Sequence, residues 1–298
     1  MASAFSFIFM LSISRTMRNI FSEYNYTTAE LKSRADEMTD KSLPAIEMKS
    51  ALTRILGLLD LTTLEGSDNN EKISQLCRQA RFSAIKKEFP DAAAVCVYPS
   101  LVRYAKTGLR DTGILVASVA GAFPSGQTGI RVKLEEIRYA ISEGADEIDT
   151  VISRGKLLDG LDEEVFDELS AIREACGKVR LKVILETGEL PSVAMVRKAS
   201  ELALLAGADF IKTSTGKIPT GATPVTFLVM LDTIREFLIK TGKATGIKAA
   251  GGIRTPTQAL LYSAILLKVL GEQWLQKDYF RIGASSLASE LLENILKK

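Results

Sequence analysis

The chain has 298 residues, 46% of them hydrophobic and 25% charged, with a formal net charge of +2. That length suits one large domain with a sizeable core, and neither sign of charge is in the excess that attracts nucleic acid or a membrane surface. Histidine is absent, which removes Ser-His-Asp and Cys-His nucleophile systems and histidine-ligated zinc, and leaves Lys, Asp, Glu, Tyr, Cys or water to move protons.

Residues 1–45 read as an N-terminal extension, partly disordered or presequence-like, and residues 46–298 as the main domain. Residues 4–11 form an apolar run, and Arg15 and Arg18 follow it. A secretory signal carries its positive charge before the apolar run, and a membrane span needs about 20 apolar residues, so neither fits. An acid-poor stretch with Ser and Arg leaves two readings: an organelle presequence, or, as we favour, a poorly ordered extension with Met17 as the start. The three cysteines, Cys77, Cys96 and Cys176, are few, odd in number and widely spaced. That spacing argues against a disulfide framework and for a reducing compartment, with the cytoplasm as the expected location.

Helices are expected over 28–38 and 46–56. Short apolar runs then alternate with amphipathic ones. The expected strands are 57–64, 93–98, 115–120, 147–153, 180–186, 210–215, 245–250 and 279–283. Residues 131–142 and 163–176 show clear i, i+3, i+4 helical spacing. Gly144, Gly177, Gly207, Gly242 and Gly271 fall where left-handed helix caps belong, and Thr223-Pro224 and Thr255-Pro256 read as capped helix starts. About eight strand–helix units imply a parallel sheet closed into a (β/α)₈ barrel. Leu64-Glu65-Gly66-Ser67-Asp68 after the first strand is not a dinucleotide fingerprint, which disfavours the open doubly wound alternative.

Strands of a parallel barrel are buried on both faces and should be apolar. Three consecutive strands break that rule, with Asp149 in the fourth, Lys182 in the fifth and Lys212 in the sixth. A buried ion-pair network accounts for such charges, but a barrel also places its chemistry at the carboxyl ends of its strands. A free lysine, with a pKa near 10.4, is neutral at pH 7 only about once in 2,500. A second ammonium nearby and loss of solvent both favour the neutral, nucleophilic amine. The pair therefore points to imine chemistry on a carbonyl, with Asp149 moving protons. Lys248-Ala249-Ala250-Gly251-Gly252-Ile253-Arg254 after strand seven and Gly283-Ala284-Ser285-Ser286 after strand eight fit an anion site of backbone amides and a helix amino terminus. Thr213-Ser214-Thr215-Gly216-Lys217 after strand six offers further donors. Glu189 is expected to cap the helix that follows it.

Leu59-Asp60-Leu61-Thr62-Thr63-Leu64, Ala94-Val95-Cys96-Val97-Tyr98-Pro99, Gly144-Ala145-Asp146-Glu147-Ile148-Asp149, Leu181-Lys182-Val183-Ile184-Leu185-Glu186-Thr187-Gly188-Glu189-Leu190, Asp209-Phe210-Ile211-Lys212-Thr213-Ser214-Thr215-Gly216-Lys217 and Gly283-Ala284-Ser285-Ser286 together resemble the deoxyribose-phosphate aldolase family, in order, from about residue 56 to the carboxyl end. The resemblance implies a class I aldolase that cleaves 2-deoxy-D-ribose 5-phosphate reversibly to D-glyceraldehyde 3-phosphate and acetaldehyde, without metal or organic cofactor. It implies Lys182 as the Schiff-base lysine and Lys212 as the group that lowers its pKa. Asp149 would act with a bound water, positioned with Asp60 and Thr62. Gly216, Lys217, Gly251, Gly252, Ser285 and Ser286 would bind phosphate. The implied partners are a sugar phosphate and small aldehydes, with a homodimer as one open assembly. Thr150-Val151, Lys248-Ala249-Ala250 and Gly221 depart from the family's usual residues, and the chain ends at Lys298 without a tyrosine-ended tail. Another lysine-imine sugar-phosphate aldolase or transaldolase, and a non-catalytic sugar-phosphate-binding barrel, are the alternative readings.

Overall fold

The computed structural model describes residues 20–39 and 45–297. Eight parallel strands close into a barrel in chain order: β1 (Leu59–Thr62), β2 (Ala94–Val97), β3 (Leu115–Ala120), β4 (Glu147–Val151), β5 (Arg180–Ile184), β6 (Phe210–Lys212), β7 (Gly246–Ala250) and β8 (Phe280–Ala284). The helices are α1 (Thr28–Thr39), α2 (Ala45–Leu56), α3 (Asn70–Gln79), α4 (Val102–Gly108), α5 (Ile130–Ser142), α6 (Arg154–Leu158), α7 (Asp162–Cys176), α8 (Val193–Leu205), α9 (Pro224–Thr241), α10 (Pro256–Leu270) and α11 (Leu287–Leu296). The expected architecture is the observed one.

Period-two alternation along each strand sorts the side chains. Ile148, Leu181, Val183, Ile211, Ile247, Ala249, Phe280 and Ile282 join the apolar layer under the helices. The residues between such positions turn into the lumen, and on six strands, β1 and β4 to β8, a lumen residue is charged. Thr223 and Thr255 each cap a helix through a box with the third helical residue, with proline in the first turn. Gly242 ends α9 in the left-handed conformation that glycine adopts without penalty. Glu189 does not cap α8. Ser192 accepts the Met195 amide there, and Glu189 pairs with Arg154 at 2.5 Å.

Residues 20–39 of the expected extension belong to the outer layer of the barrel. Phe21 stacks on Phe237 with ring centroids 6.1 Å apart. The Tyr24 hydroxyl donates to Asp232 at 2.7 Å, and Arg34 pairs with the same carboxylate at 2.9 Å. The apolar run 4–11 and Met17 lie outside the described residues. Among the described residues no helix is long and apolar enough to cross a membrane.

Candidate active site

Strand register stacks the lumen charges in layers. Asp149 is level with Lys182 across β4 and β5. Lys182 is level with Phe210, and Ile184 with Lys212, across β5 and β6. Lys212 is level with Lys248, and Lys248 with Arg281, on the next two strands. In register, Lys212 therefore lies two residues further toward the carboxyl end of its strand than Lys182.

These side chains form one dry network. Lys182 Nζ donates to Glu147 at 2.5 Å and to Asp149 Oδ1 at 2.8 Å. Lys212 Nζ donates to Asp149 Oδ2 at 2.8 Å. Lys248 Nζ reaches the same Asp149 oxygen at 2.9 Å and Asp60 Oδ2 at 2.6 Å. Arg281 closes the floor, pairing with Asp60 at 2.6 Å and Glu147 at 2.9 Å. Arg180, partly exposed below, adds a contact to Glu147 and a second to Asp278. No member of the cluster from Asp60 to Arg281, Arg180 aside, exposes more than 2% of its surface. The cluster holds four cations, Lys182, Lys212, Lys248 and Arg281, against three carboxylates, Asp60, Glu147 and Asp149.

Burial penalises every charge here, and the neighbours decide which survive. Burial pulls Lys182 down, but Asp149, Glu147 and Asp60 outweigh it and leave its ammonium above the ordinary lysine range. Lys248 is likewise held protonated by Asp149 and Asp60 against burial. Asp149 is held far below the carboxylate range because Lys182, Lys212 and Lys248 overcome its burial. Lys212 is the lysine whose pKa falls, chiefly from burial, with Lys248 adding to the effect and Asp149 opposing it. If Lys212 gives up its proton, three cations face three carboxylates.

A cleft of about 480 Å³ opens above the cluster, and Lys212 lines it. The nucleophile expected from the sequence, Lys182, does not. It is fully buried and held between the Glu147 and Asp149 carboxylates, which favour its ammonium form. Asp149 and Asp60 also lie below the lining, whereas Thr62 is part of it and donates its hydroxyl to the Asp60 carbonyl at 2.9 Å. Gly216, Lys217, Gly251, Gly252 and Ser285 line the cleft, and Ser286 does not. The three glycines all have positive φ, near 80°. At Gly251 a Cβ would also come within 2.7 Å of the Gly221 Cα, so these two backbones meet only as glycines.

Sequence reasoning overlooked Lys248, Glu147 and Arg281 as members of the cluster. The signal was present, since Lys248 and Arg281 are charges inside otherwise apolar strands, GIKAA and FRIGA, and Glu147 stands two residues before Asp149 in EIDTV.

A closed barrel with a lysine of lowered pKa at the carboxyl-terminal mouth defines an enzyme of carbonyl chemistry. The chain belongs to the DeoC/LacD aldolase family, whose model matches residues 54–272. It is an aldolase, a carbon–carbon lyase. It is 46% identical over 256 residues to deoxyribose-phosphate aldolase of Mus musculus, covering 82% of this chain and 80% of the relative. To the Homo sapiens deoxyribose-phosphate aldolase it is 43% identical over 275 residues, 88% of this chain and 86% of the relative. Among solved structures it resembles the tetrameric deoxyribose phosphate aldolase of Aeropyrum pernix at 26% identity and a TM-score of 0.65, over 84% of this chain and 95% of that one.

Proposed function

We propose that this aldolase cleaves 2-deoxy-D-ribose 5-phosphate reversibly to D-glyceraldehyde 3-phosphate and acetaldehyde, as a step of deoxyribonucleotide catabolism, through an imine on Lys212. The relatives bearing that activity in their names match most of the chain. The observation that carries the covalent assignment is the position of Lys212: a buried amine of lowered pKa that faces the cleft two residues above Lys182.

The neutral Lys212 amine attacks the aldehyde carbon C1. The carbinolamine oxygen takes a proton and leaves as water, giving the iminium. A base removes the C3 hydroxyl proton, the C2–C3 bond breaks, and its electron pair passes into the iminium to form an enamine. Glyceraldehyde 3-phosphate departs. Protonation of the enamine at C2 and hydrolysis of the resulting iminium release acetaldehyde and restore the amine. Asp149, held as an anion 2.8 Å from Lys212, orients the amine and stabilises the iminium, and water beside it carries protons to and from the substrate. Lys248 favours the neutral amine at the start of the cycle. The Gly216, Gly251 and Gly252 backbone, with Lys217 and Ser285, forms the cleft wall suited to the phosphate. Three unpaired, buried cysteines support a cytoplasmic setting.

Borohydride reduction in the presence of acetaldehyde, followed by peptide mass spectrometry, tests the assignment. The expected product is an ethylated Lys212. An adduct on Lys182 would return that residue to the covalent role, and absence of any adduct would end the imine reading.

A further inference from the structure

One buried carboxylate near the cleft plays no part in the network described above. Glu186 follows β5 and is fully buried, yet among the described residues it pairs with no cation. Its backbone is left-handed, at φ 53° and ψ 57°, a conformation that costs a non-glycine residue about 1 kcal/mol or more and is retained where surrounding structure enforces it. That turn folds the side chain under the loop that follows β6. There Oε1 accepts the Thr215 amide at 3.1 Å, and Oε2 accepts the Thr215 hydroxyl. The same hydroxyl oxygen accepts the Lys217 amide at 3.0 Å. The turn of Thr215, Gly216 and Lys217 is thus clipped to one anchored carboxylate, and all three residues line the cleft. The clip lies near the nucleophile's strand, because the Leu185 amide donates to the Lys212 carbonyl at 2.9 Å and the Thr187 amide to the Thr213 carbonyl at 2.9 Å.

We propose that Glu186 is a positioning residue for the phosphate end of the substrate, holding the Thr215–Lys217 turn in its binding shape through the Thr215 amide and hydroxyl. This rests on the deoxyribose-phosphate reading. Glu186 is not part of the cleft wall and makes no hydrogen bond to Lys212 Nζ, so its loss acts on recognition of the phosphate and not on imine formation. A buried carboxylate is costly without partners, and its two donors both come from this turn. The side chain and the turn therefore fix one another.

The test compares 2-deoxyribose 5-phosphate with unphosphorylated 2-deoxyribose in wild type, Glu186→Gly, Glu186→Gln and Thr215→Val. Glycine removes the carboxylate while relaxing the left-handed backbone. We expect Glu186→Gly to raise KM for the phosphorylated substrate about tenfold, the loss of one to two charge-assisted hydrogen bonds. KM for 2-deoxyribose and the rate of borohydride trapping with acetaldehyde stay within about twofold. Thr215→Val reproduces the split, and Glu186→Gln, which keeps an acceptor for the amide, recovers most of it. Equal losses on both substrates, no change on either, or a folded Gln variant as impaired as Gly would overturn the inference. If Glu186→Gly fails to fold, the Gln and Val variants decide between the same outcomes. A wild-type enzyme that does not cleave the phosphorylated sugar would instead refute the proposed function, so the two failures are distinguishable.

Discussion

Lys248→Met tests the electrostatic logic of the site directly. The substitution keeps the length and bulk of the side chain and removes one buried charge. Lys212 and Lys248 contact the same Asp149 oxygen at 2.8 and 2.9 Å, so their nitrogens lie within about 6 Å of each other. At an effective dielectric of about 20, two like charges at that separation repel by roughly 3 kcal/mol. Removing Lys248 also frees Asp149 and Asp60 from one of their cations, which stabilises the Lys212 ammonium further. About 3 kcal/mol corresponds to roughly a hundredfold fall in the neutral fraction of Lys212 at pH values below its folded pKa. The amine is the reactive form, so kcat/KM at neutral pH should drop by about that factor. The acidic limb of the pH–rate profile should move to higher pH, and much of the loss should return in alkaline buffer. Steady-state cleavage between about pH 6 and 10, with acetaldehyde–borohydride trapping at each pH, reads both effects. A folded Lys248→Met enzyme with an unmoved acidic limb, or with a loss that alkali does not repair, would refute the reasoning.

Three further outcomes follow from the same cluster and its rim. Lys182→Met strips Glu147 and Asp149 of a buried partner and should cost about 3–5 kcal/mol in denaturant unfolding, while trapping of the folded fraction still labels Lys212; a stable variant with no label at Lys212 would contradict this. Gly251→Ala forces a Cβ to within 2.7 Å of the Gly221 Cα at a positive φ, so it should lose about 1–3 kcal/mol of stability and raise KM more for phosphorylated than for unphosphorylated sugar; equal KM changes for both sugars would argue against phosphate at this turn. Asp60, Glu147 and Asp149 all have folded pKa values below their ordinary range, because neighbouring cations outweigh burial. Their contribution to stability is present above about pH 4, the unfolded carboxylate range, and is lost as pH falls through their folded values. The urea midpoint should hold from neutral pH to about pH 5 and decline steadily below about pH 4; a midpoint that does not respond to acid would contradict the network.

The barrel was legible because its signals are local. Apolar runs such as AVCV and RLKVI, spaced by helical repeats, mark every strand, and Thr-Pro marks the start of α9 and α10. Which lysine faces the cleft was not local. Lys182 and Lys212 each occupy the third position of their strand, in RLKVI and FIK, and nothing within either segment ranks one above the other. Their relative height is set by the stagger between β5 and β6, which pairs Lys182 with Phe210 and Ile184 with Lys212. Stagger belongs to barrel closure, where strand tilt and register are fixed by all eight strands at once. The same stagger lifts Lys248 to the level of Lys212, so the partner that pushes Lys212 toward neutrality comes from β7 and not from β5. Residues 20–27 were illegible for a different reason: their contacts, such as Tyr24 to Asp232, span more than 200 positions.

The odd charge count gives the layered cluster its chemical meaning. A fully buried network of even balance has no electrostatic reason to release a proton, because each ammonium is matched by a carboxylate. Here the four cations exceed the three carboxylates by one. The surplus settles on the member with the fewest anionic contacts. Lys182 contacts Glu147 and Asp149 within 2.8 Å, Lys248 contacts Asp60 and Asp149 within 2.9 Å, and Arg281 holds Asp60 and Glu147 within 2.9 Å. Among the described residues Lys212 has Asp149 alone, on an oxygen that Lys248 also occupies. The group with the weakest hold on its proton is therefore the one that lines the cleft. On this account Lys182, Lys248 and Arg281 act as fixed charges, and their protonated state favours a neutral amine on the lysine that lines the cleft.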